Sequence, residues 1–142
     1  MVKLSVEQIK EYVLPLVKNS MLPEVAYPLE EDGDRDLWGL FDRDKLIVVC
    51  GLGCETKSTE VCLSFFAVDS EYRRKGLGTY ALEYVEEIAK ERGYKTILVE
   101  TYDNPVFENA IKLYKKLGYV EVGYILDYLD DDSDMLYLRK VL

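Results

Sequence analysis

The stretch that decides the fold of this chain runs from residue 69 to residue 79 and reads DSEYRRKGLGT. An apolar run at residues 61–68 precedes it and predicts a central β-strand, and a helical pattern follows over residues 77–92. Three consecutive cations and two glycines therefore stand where a strand turns into a helix, in a chain of net charge −9. Exposed amides and the dipole at a helix start bind anionic oxygens. The stretch predicts a phosphate-binding turn.

Two other interpretations of this stretch remain open. A solvated basic loop before a helix is one of them. The other is a dinucleotide site, because residues 76–81 fit G-x-G-x-x-A and Glu100 follows about 24 positions after the first glycine. That fingerprint needs glycine directly after a strand, whereas residues 69–75 intervene here, and three predicted strands precede the turn. The dinucleotide interpretation is therefore the weaker one.

The rest of the sequence predicts an α+β fold with a mixed sheet. Ser5 and Gln8 form a capping box with Leu4 and Ile9 as a staple, and Pro15 should kink or break the helix that they start. Asn104 caps a later helix that ends at Gly118. Strands are predicted at residues 37–41, 45–52, 61–68, 96–100, 119–126 and 135–141, with a polar turn at 56–59 and loops at 20–36 and 127–134. This order favours helices packed on the faces of a mixed sheet, in a single domain spanning residues 1–142.

Composition excludes several kinds of chemistry. The chain contains no histidine, which removes every mechanism with an imidazole base. Cys50, Cys54 and Cys62 lie in or beside apolar runs and are interpreted as buried thiols, and without paired CxxC motifs no metal site is expected. The acidic balance argues against nucleic-acid binding. The sequence shows neither a membrane span nor a signal peptide, so we expect a cytoplasmic protein.

Two motifs in this order resemble a known family. Arg73-x-x-Gly76-x-Gly78 after Val68-Asp69 is similar to the acetyl-CoA signature of the GNAT (GCN5-related) N-acetyltransferases. Residues 110–119, AIKLYKKLGY, are similar to that family's A-x-x-L-Y-x-x-x-G-F segment. The resemblance covers residues from about 37 to 142. It implies a central, mostly antiparallel sheet that is splayed at the coenzyme A (CoA) site, with helices on both faces.

The resemblance also implies how acetyl-CoA, the cosubstrate, would bind. A strand segment would pair through its backbone with the pantetheine arm, and a backbone N–H there could steady the oxyanion of the thioester. These strand residues are Phe66, Ala67 and Val68. The turn and the first residues of the helix would hold the pyrophosphate, and they are Arg73, Arg74, Lys75, Gly76, Leu77, Gly78 and Thr79.

Two residues are implied as catalytic. Tyr114 matches the tyrosine that protonates the departing CoA thiolate, although it shares a helical face with apolar residues and could belong to the core. Glu100 is the leading candidate for the base, since an alkyl ammonium must lose a proton before it attacks. Asp103 and Glu60 are alternatives. The family often has asparagine seven residues before the tyrosine, where this chain has Phe107.

The function implied is an acetyl-CoA-dependent N-acetyltransferase that acts on a primary amine, of a small molecule, by direct attack. Acidic residues in the two loops would attract a cationic acceptor. These loops contain Glu24, Glu30, Glu31, Asp32, Asp127, Asp130, Asp131 and Asp132, with Tyr27, Trp38 and Tyr128 as apolar surfaces. Acetylation of a protein amino terminus or lysine, and a non-catalytic acyl-CoA-binding module, are the alternatives. A homodimer is possible.

Overall fold

The structure, a computed structural model, describes residues 1–13, 15–16, 36–57, 59–128 and 133–142, without the side chains of Lys10 and residues 54–57. The strands are β1 (Val2–Lys3), β2 (Asp36–Asp42), β3 (Lys45–Lys57), β4 (Glu60–Val68), β5 (Thr96–Asp103), β6 (Val120–Ile125) and β7 (Asp134–Val141). The helices are α1 (Val6–Gln8), which continues as a π-helix at Ile9–Val13, then α2 (Leu77–Glu91) and α3 (Glu108–Lys116). Short 3₁₀ turns at Ser70–Tyr72 and Pro105–Phe107 precede α2 and α3.

The strands form one sheet in the order β1-β2-β3-β4-β5-β7-β6. Every neighbouring pair is antiparallel except β4 and β5, which are parallel. The parallel pairing is short, because it joins only Glu60–Thr96, Val61–Ile97 and Cys62–Leu98. Beyond these pairs β4 continues to Val68 and β5 to Asp103 without pairing to each other, so the sheet is splayed. The predicted mixed, mostly antiparallel and splayed sheet is confirmed.

Buried side chains form a core on each face of the sheet. The larger core joins α2 and α3 to the sheet through residues such as Leu82, Val85 and Ile111. The smaller core contains Val13 and Leu16 from the N-terminal helical segment. Helices therefore cover both faces, as predicted.

Local signals account for the helix boundaries. The Ser5 hydroxyl accepts a hydrogen bond from the Gln8 N–H at 3.2 Å, and the Gln8 side chain accepts one from the Ser5 N–H at 3.0 Å, which is the predicted capping box. The Asn104 side chain accepts from the Val106 N–H at 2.9 Å, as expected of a cap. Gly93, with φ of 88°, follows the end of α2.

Some boundaries differ from the predictions. Thr56 and Lys57 continue β3, and Lys57 pairs with Glu60 of β4, so the predicted polar turn begins too early. Strand β1 was not predicted, since two residues are too few for alternation to be visible. Residues 20–35 and 129–132 lie outside the described residues, and so do the acidic side chains predicted there. Cys50 and Cys62 are buried, as expected. In the described part of the chain, no helix is long and apolar enough to cross a membrane.

Candidate functional site

A cleft of about 450 Å³ lies beside the end of β4, past the point where the pairing of β4 with β5 stops. Its floor is the end of β4, at Phe66, Ala67 and Val68, and one wall is the turn into α2. The volume lies in the range of small-molecule and cofactor sites. Since β3 pairs with only one edge of β4 and the pairing with β5 stops at Cys62, backbone groups on the other edge of residues 63–68 have no strand partner. The end of β4 thus offers backbone hydrogen bonds to an extended ligand.

The start of α2 presents backbone amides to this cleft. Gly76 is the N-cap, in the left-handed conformation with φ of 76°. The Tyr80 N–H makes the first helical hydrogen bond, to the Gly76 carbonyl, at 3.0 Å. Helix geometry leaves the amides of Leu77, Gly78 and Thr79 without an intrahelical acceptor, and all three residues line the cleft. The chemistry of this turn suits a phosphate group.

Gly78 allows α2, α3 and β4 to meet closely beside these amides. A Cβ at Gly78 would lie 2.9 Å from Cδ2 of Leu113 and 3.2 Å from Cζ of Phe66. A larger side chain would therefore push apart the floor and the walls of the cleft. The turn thus uses Gly76 for its backbone conformation and Gly78 for its close packing.

The cations of the turn fall into two groups. Arg73 and Arg74 line the cleft, and Arg74 adopts a left-handed φ of 63°. Lys75 is outside the cleft lining, and its ammonium lies 5.2 Å from the centroid of the Tyr72 ring. Of the three predicted cations, two therefore line the cleft, and Lys75 lies beside Tyr72 outside the lining.

Contacts behind the turn fix its position. Asp69 is 1% exposed, accepts a hydrogen bond from the Glu71 N–H at 2.9 Å and lies 3.1 Å from the Lys45 ammonium. The Tyr72 hydroxyl donates to Asp42 at 2.6 Å, and this hydrogen bond to a carboxylate raises the pKa of Tyr72. The turn is thereby joined to the β2–β3 hairpin.

The opposite wall of the cleft comes from α3 and the 3₁₀ turn before it. The sequence did not single out most of these residues, because their positions alternate with solvent-facing ones along a short helix. They are Val106, Phe107, Asn109, Ala110, Leu113 and Lys116. Phe107 occupies the position where the family often has asparagine, and gives this wall an apolar ring.

Tyr114 lies behind this wall and is 5% exposed. Its ring centroid is 5.9 Å from that of Phe66 on the cleft floor and 5.7 Å from that of Tyr119. The tyrosine is part of the larger core and is also next to the strand end that would hold the thioester. Its role as the acid stays a prediction.

The candidate bases lie in different environments. Glu100 is exposed on β5, beyond the part of the strand that pairs with β4, and lies opposite Tyr137 on β7. Burial, followed by the nearby Glu100 charge, raises the pKa of Tyr137. Asp103, also exposed, ends β5. Glu60 is different, since it is 8% exposed at the paired end of β4 and is bound by Thr96 and Arg139.

The described parts of the acceptor side are few. Tyr128 is 51% exposed, and its ring stacks on that of Tyr102 with centroids 6.3 Å apart. Trp38 is 5% exposed within the larger core, so the prediction that it offers a surface to the acceptor is wrong. Among the described residues, no group of three or more acidic or cysteine side chains is placed to hold a metal ion.

Comparisons with known proteins agree with this geometry. The model of the acetyltransferase (GNAT) family matches residues 8–119. A probable N-acetyltransferase 14 from Xenopus tropicalis is 33% identical over 92 residues, which are 64% of this chain and 44% of that protein. An aminoglycoside 6'-N-acetyltransferase solved with coenzyme A superposes with a TM-score of 0.79 and 20% identity, over 99% of this chain and 97% of that one. The ribosomal-protein-S18-alanine N-acetyltransferase from Escherichia coli superposes with a TM-score of 0.78 and 21% identity, over 98% and 90%.

The splayed sheet and the cleft beside it thus correspond to the fold of these acetyltransferase structures. The chain belongs to the acetyltransferase (GNAT) family. It spans less than half the length of the Xenopus relative, 44%.

Proposed function

We propose that this chain transfers the acetyl group of acetyl-CoA to the primary amine of a small molecule, by direct attack of the amine on the thioester. The observation that carries the proposal is that two binding features open into the same cleft. The unpaired edge of β4 and the exposed amides of α2 open into the same space of about 450 Å³. An extended arm that ends in phosphates matches this combination.

Acetyl-CoA would use both parts of the cleft. The backbone of Phe66, Ala67 and Val68 would pair with the pantetheine arm on the edge that β5 leaves. The first amides of α2 and the guanidinium groups of Arg73 and Arg74 would hold the pyrophosphate. The residues therefore fit the cosubstrate along its length.

Direct attack agrees with the groups available. A covalent acetyl-enzyme would need an activated nucleophile. Cys50 and Cys62 are buried, and burial raises the pKa of the Cys50 thiol, which disfavours the reactive thiolate. With no histidine in the chain, an imidazole cannot activate a serine or cysteine.

The proposed reaction depends on proton transfers by Glu100 and Tyr114 and on proton exchange with solvent. Glu100, directly or through water, takes a proton from the acceptor ammonium so that the neutral amine can attack the carbonyl carbon. The carbon–sulfur bond then breaks, and the thiolate takes a proton from Tyr114. The new amide nitrogen loses a proton to solvent, and solvent carries the proton held by Glu100 back to the Tyr114 phenolate. This leaves an acetylated amine, free CoA and the enzyme in its starting state.

Acetylation of a protein amino terminus is the second candidate. The likeness to the ribosomal-protein-S18-alanine N-acetyltransferase favours it. The exposed Glu100 and Asp103 on β5 suit a cationic acceptor of either kind. The cytoplasmic location, the single domain and the homodimer expected from the sequence also remain predictions.

The test is an acceptor panel that includes small amines and peptides with free amino termini, with released CoA thiol as the signal. Arg74→Ala should weaken CoA binding about tenfold, because a charge-assisted contact to phosphate is lost. Arg43→Ala is the matched control, since Arg43 is also exposed and left-handed, with φ of 55°, but lies in the β2–β3 hairpin. The difference in CoA affinity between the two variants should become smaller as salt is added, because salt screens the charge–phosphate contact.

The outcomes separate the alternatives. Thiol release with small amines and not with peptides supports the proposal, and the reverse supports amino-terminal acetylation. CoA binding with no thiol release for any acceptor would identify a binding module. Equal affinity in Arg74→Ala and Arg43→Ala would remove Arg74 from the phosphate site.

A further inference from the structure

One lysine of α3 differs from the other two in its surroundings. The Lys112 ammonium lies 3.0 Å from the carboxylate of Glu108, and that of Lys115 lies 2.6 Å from the carboxylate of Glu121. Lys116, equally exposed, lines the cleft, and no carboxylate of the described residues lies within ion-pair distance of it. The helix therefore directs one cation into the cleft and neutralises its neighbours.

The position of Lys116 along α3 places it near the nucleotide end of the cleft. Asn109, Leu113 and Lys116 share the cleft face at helical spacing. Leu113 packs near the first turn of α2, since its Cδ2 would lie 2.9 Å from a Cβ at Gly78. Lys116 is nearly one helical turn beyond Leu113, so its flexible side chain can reach past the amides of that turn.

Coenzyme A carries more phosphate groups than the turn into α2 can contact. Its pyrophosphate matches the α2 amides and the two arginines of the turn, all on one wall. A third phosphate is attached to the 3′ position of the ribose. Lys116 is on the facing wall, where a phosphate branching away from the pyrophosphate would find no amide donors from α2.

We propose that Lys116 binds the ribose 3′-phosphate of coenzyme A and makes the enzyme select CoA over its 3′-dephospho form. This inference rests on the proposed function, because it assumes that the cleft holds CoA. An ammonium is suited to this contact as a compact charge that does not require a fixed bidentate geometry.

Titration calorimetry with CoA and 3′-dephospho-CoA tests the inference on the full chain. Wild-type protein should bind CoA about tenfold more tightly than dephospho-CoA. Lys116→Gln should lose that preference by weakening CoA binding about tenfold and leaving dephospho-CoA binding unchanged. Lys112→Gln is the matched control, since it removes an exposed lysine of the same helix that lies outside the cleft lining, and it should keep the wild-type preference.

The possible failures are distinguishable. If Lys116→Gln weakens both ligands by the same factor, the lysine contacts the pyrophosphate and the inference is wrong. It is equally wrong if Lys116→Gln and Lys112→Gln behave alike. If wild-type protein binds neither ligand, the proposed function itself fails, and the inference falls with it.

Discussion

The two ends of the β4–β5 pair use the same strands for opposite purposes. At the closed end, Glu60, Val61 and Cys62 pair with β5, and the carboxylate of Glu60 accepts hydrogen bonds from Thr96 and Arg139. At the open end, residues 63–68 lose that neighbour, and the last three of them border the cleft. Polar groups of the closed end are satisfied within the protein, whereas those of the open end are left for a ligand.

This difference shows how a binding site can form within a sheet, at the point where two neighbouring strands stop pairing. The closed end joins the strands, and the apolar cores on the two faces fix how they diverge. The open end then needs only small backbone features to become specific, such as Gly76 and Gly78. Changes at the open end should therefore affect ligand and turnover, and changes at the closed end should affect stability.

Tyr114→Phe should have the largest effect at the open end. If the hydroxyl protonates the departing thiolate, kcat should fall about 100-fold, since a positioned general acid contributes on the order of that factor or more. CoA affinity should stay unchanged, because the ring still fills its place beside Phe66. Steady-state kinetics and a direct binding measurement separate the two quantities.

Tyr119→Phe is the control for that change. Tyr119 is also buried, its ring lies 5.7 Å from that of Tyr114, and its hydroxyl donates to Glu86 at 3.0 Å. Its loss should lower the free energy of unfolding by about 1 kcal/mol and leave kcat unchanged. Wild-type turnover in Tyr114→Phe would instead make Tyr114 a core residue alone.

Local chemistry explains which parts of the site could be predicted. The phosphate-binding turn at residues 73–79 could be predicted because glycines act through their own backbone conformation and cations through their own charge. Burial of Tyr114 was foreseen as an alternative, since helical spacing places it among apolar residues. The sequence also indicated the order of helices and strands, because apolar periodicity is a local property.

Non-local contacts explain what was missed. Nothing in the sequence distinguishes Lys116 from Lys115, because the pairing of Lys115 with Glu121 depends on how β6 returns beside α3. Likewise the sequence does not show that Lys75 lies beside the Tyr72 ring and outside the cleft lining, so its predicted contact with the cosubstrate stays a prediction. Trp38 was wrongly assigned to the acceptor side. Its burial depends on packing between segments that are distant in the sequence, so the sequence alone does not reveal it.

Glu60→Gln tests the closed end. The change removes the carboxylate that Arg139 contacts and should lower the free energy of unfolding by about 2 kcal/mol, less than for a fully buried pair because Arg139 is partly exposed. Denaturant unfolding measures this. Glu87→Gln is the control, as Glu87 is exposed and lies 2.8 Å from the Lys90 ammonium, where a loss below about 1 kcal/mol is expected. Equal losses of unfolding free energy in the two variants would mean that the Glu60 contacts stabilise the fold no more than an exposed ion pair does.

Gly76→Ala should have the smallest effect and gives the finest test of the open end. Gly76 and Gly93 stand at opposite ends of α2, with φ of 76° and 88°, and a Cβ at either would meet nothing within 4 Å. Alanine should therefore cost about 1 kcal/mol of stability at both positions through backbone strain. At Gly76 alone the methyl group would also occupy space where a phosphate approaches the amides, so CoA affinity should fall about tenfold. If Gly76→Ala and Gly93→Ala bind CoA equally, the open end does not hold its phosphates at this turn, because strain is matched and only the position differs.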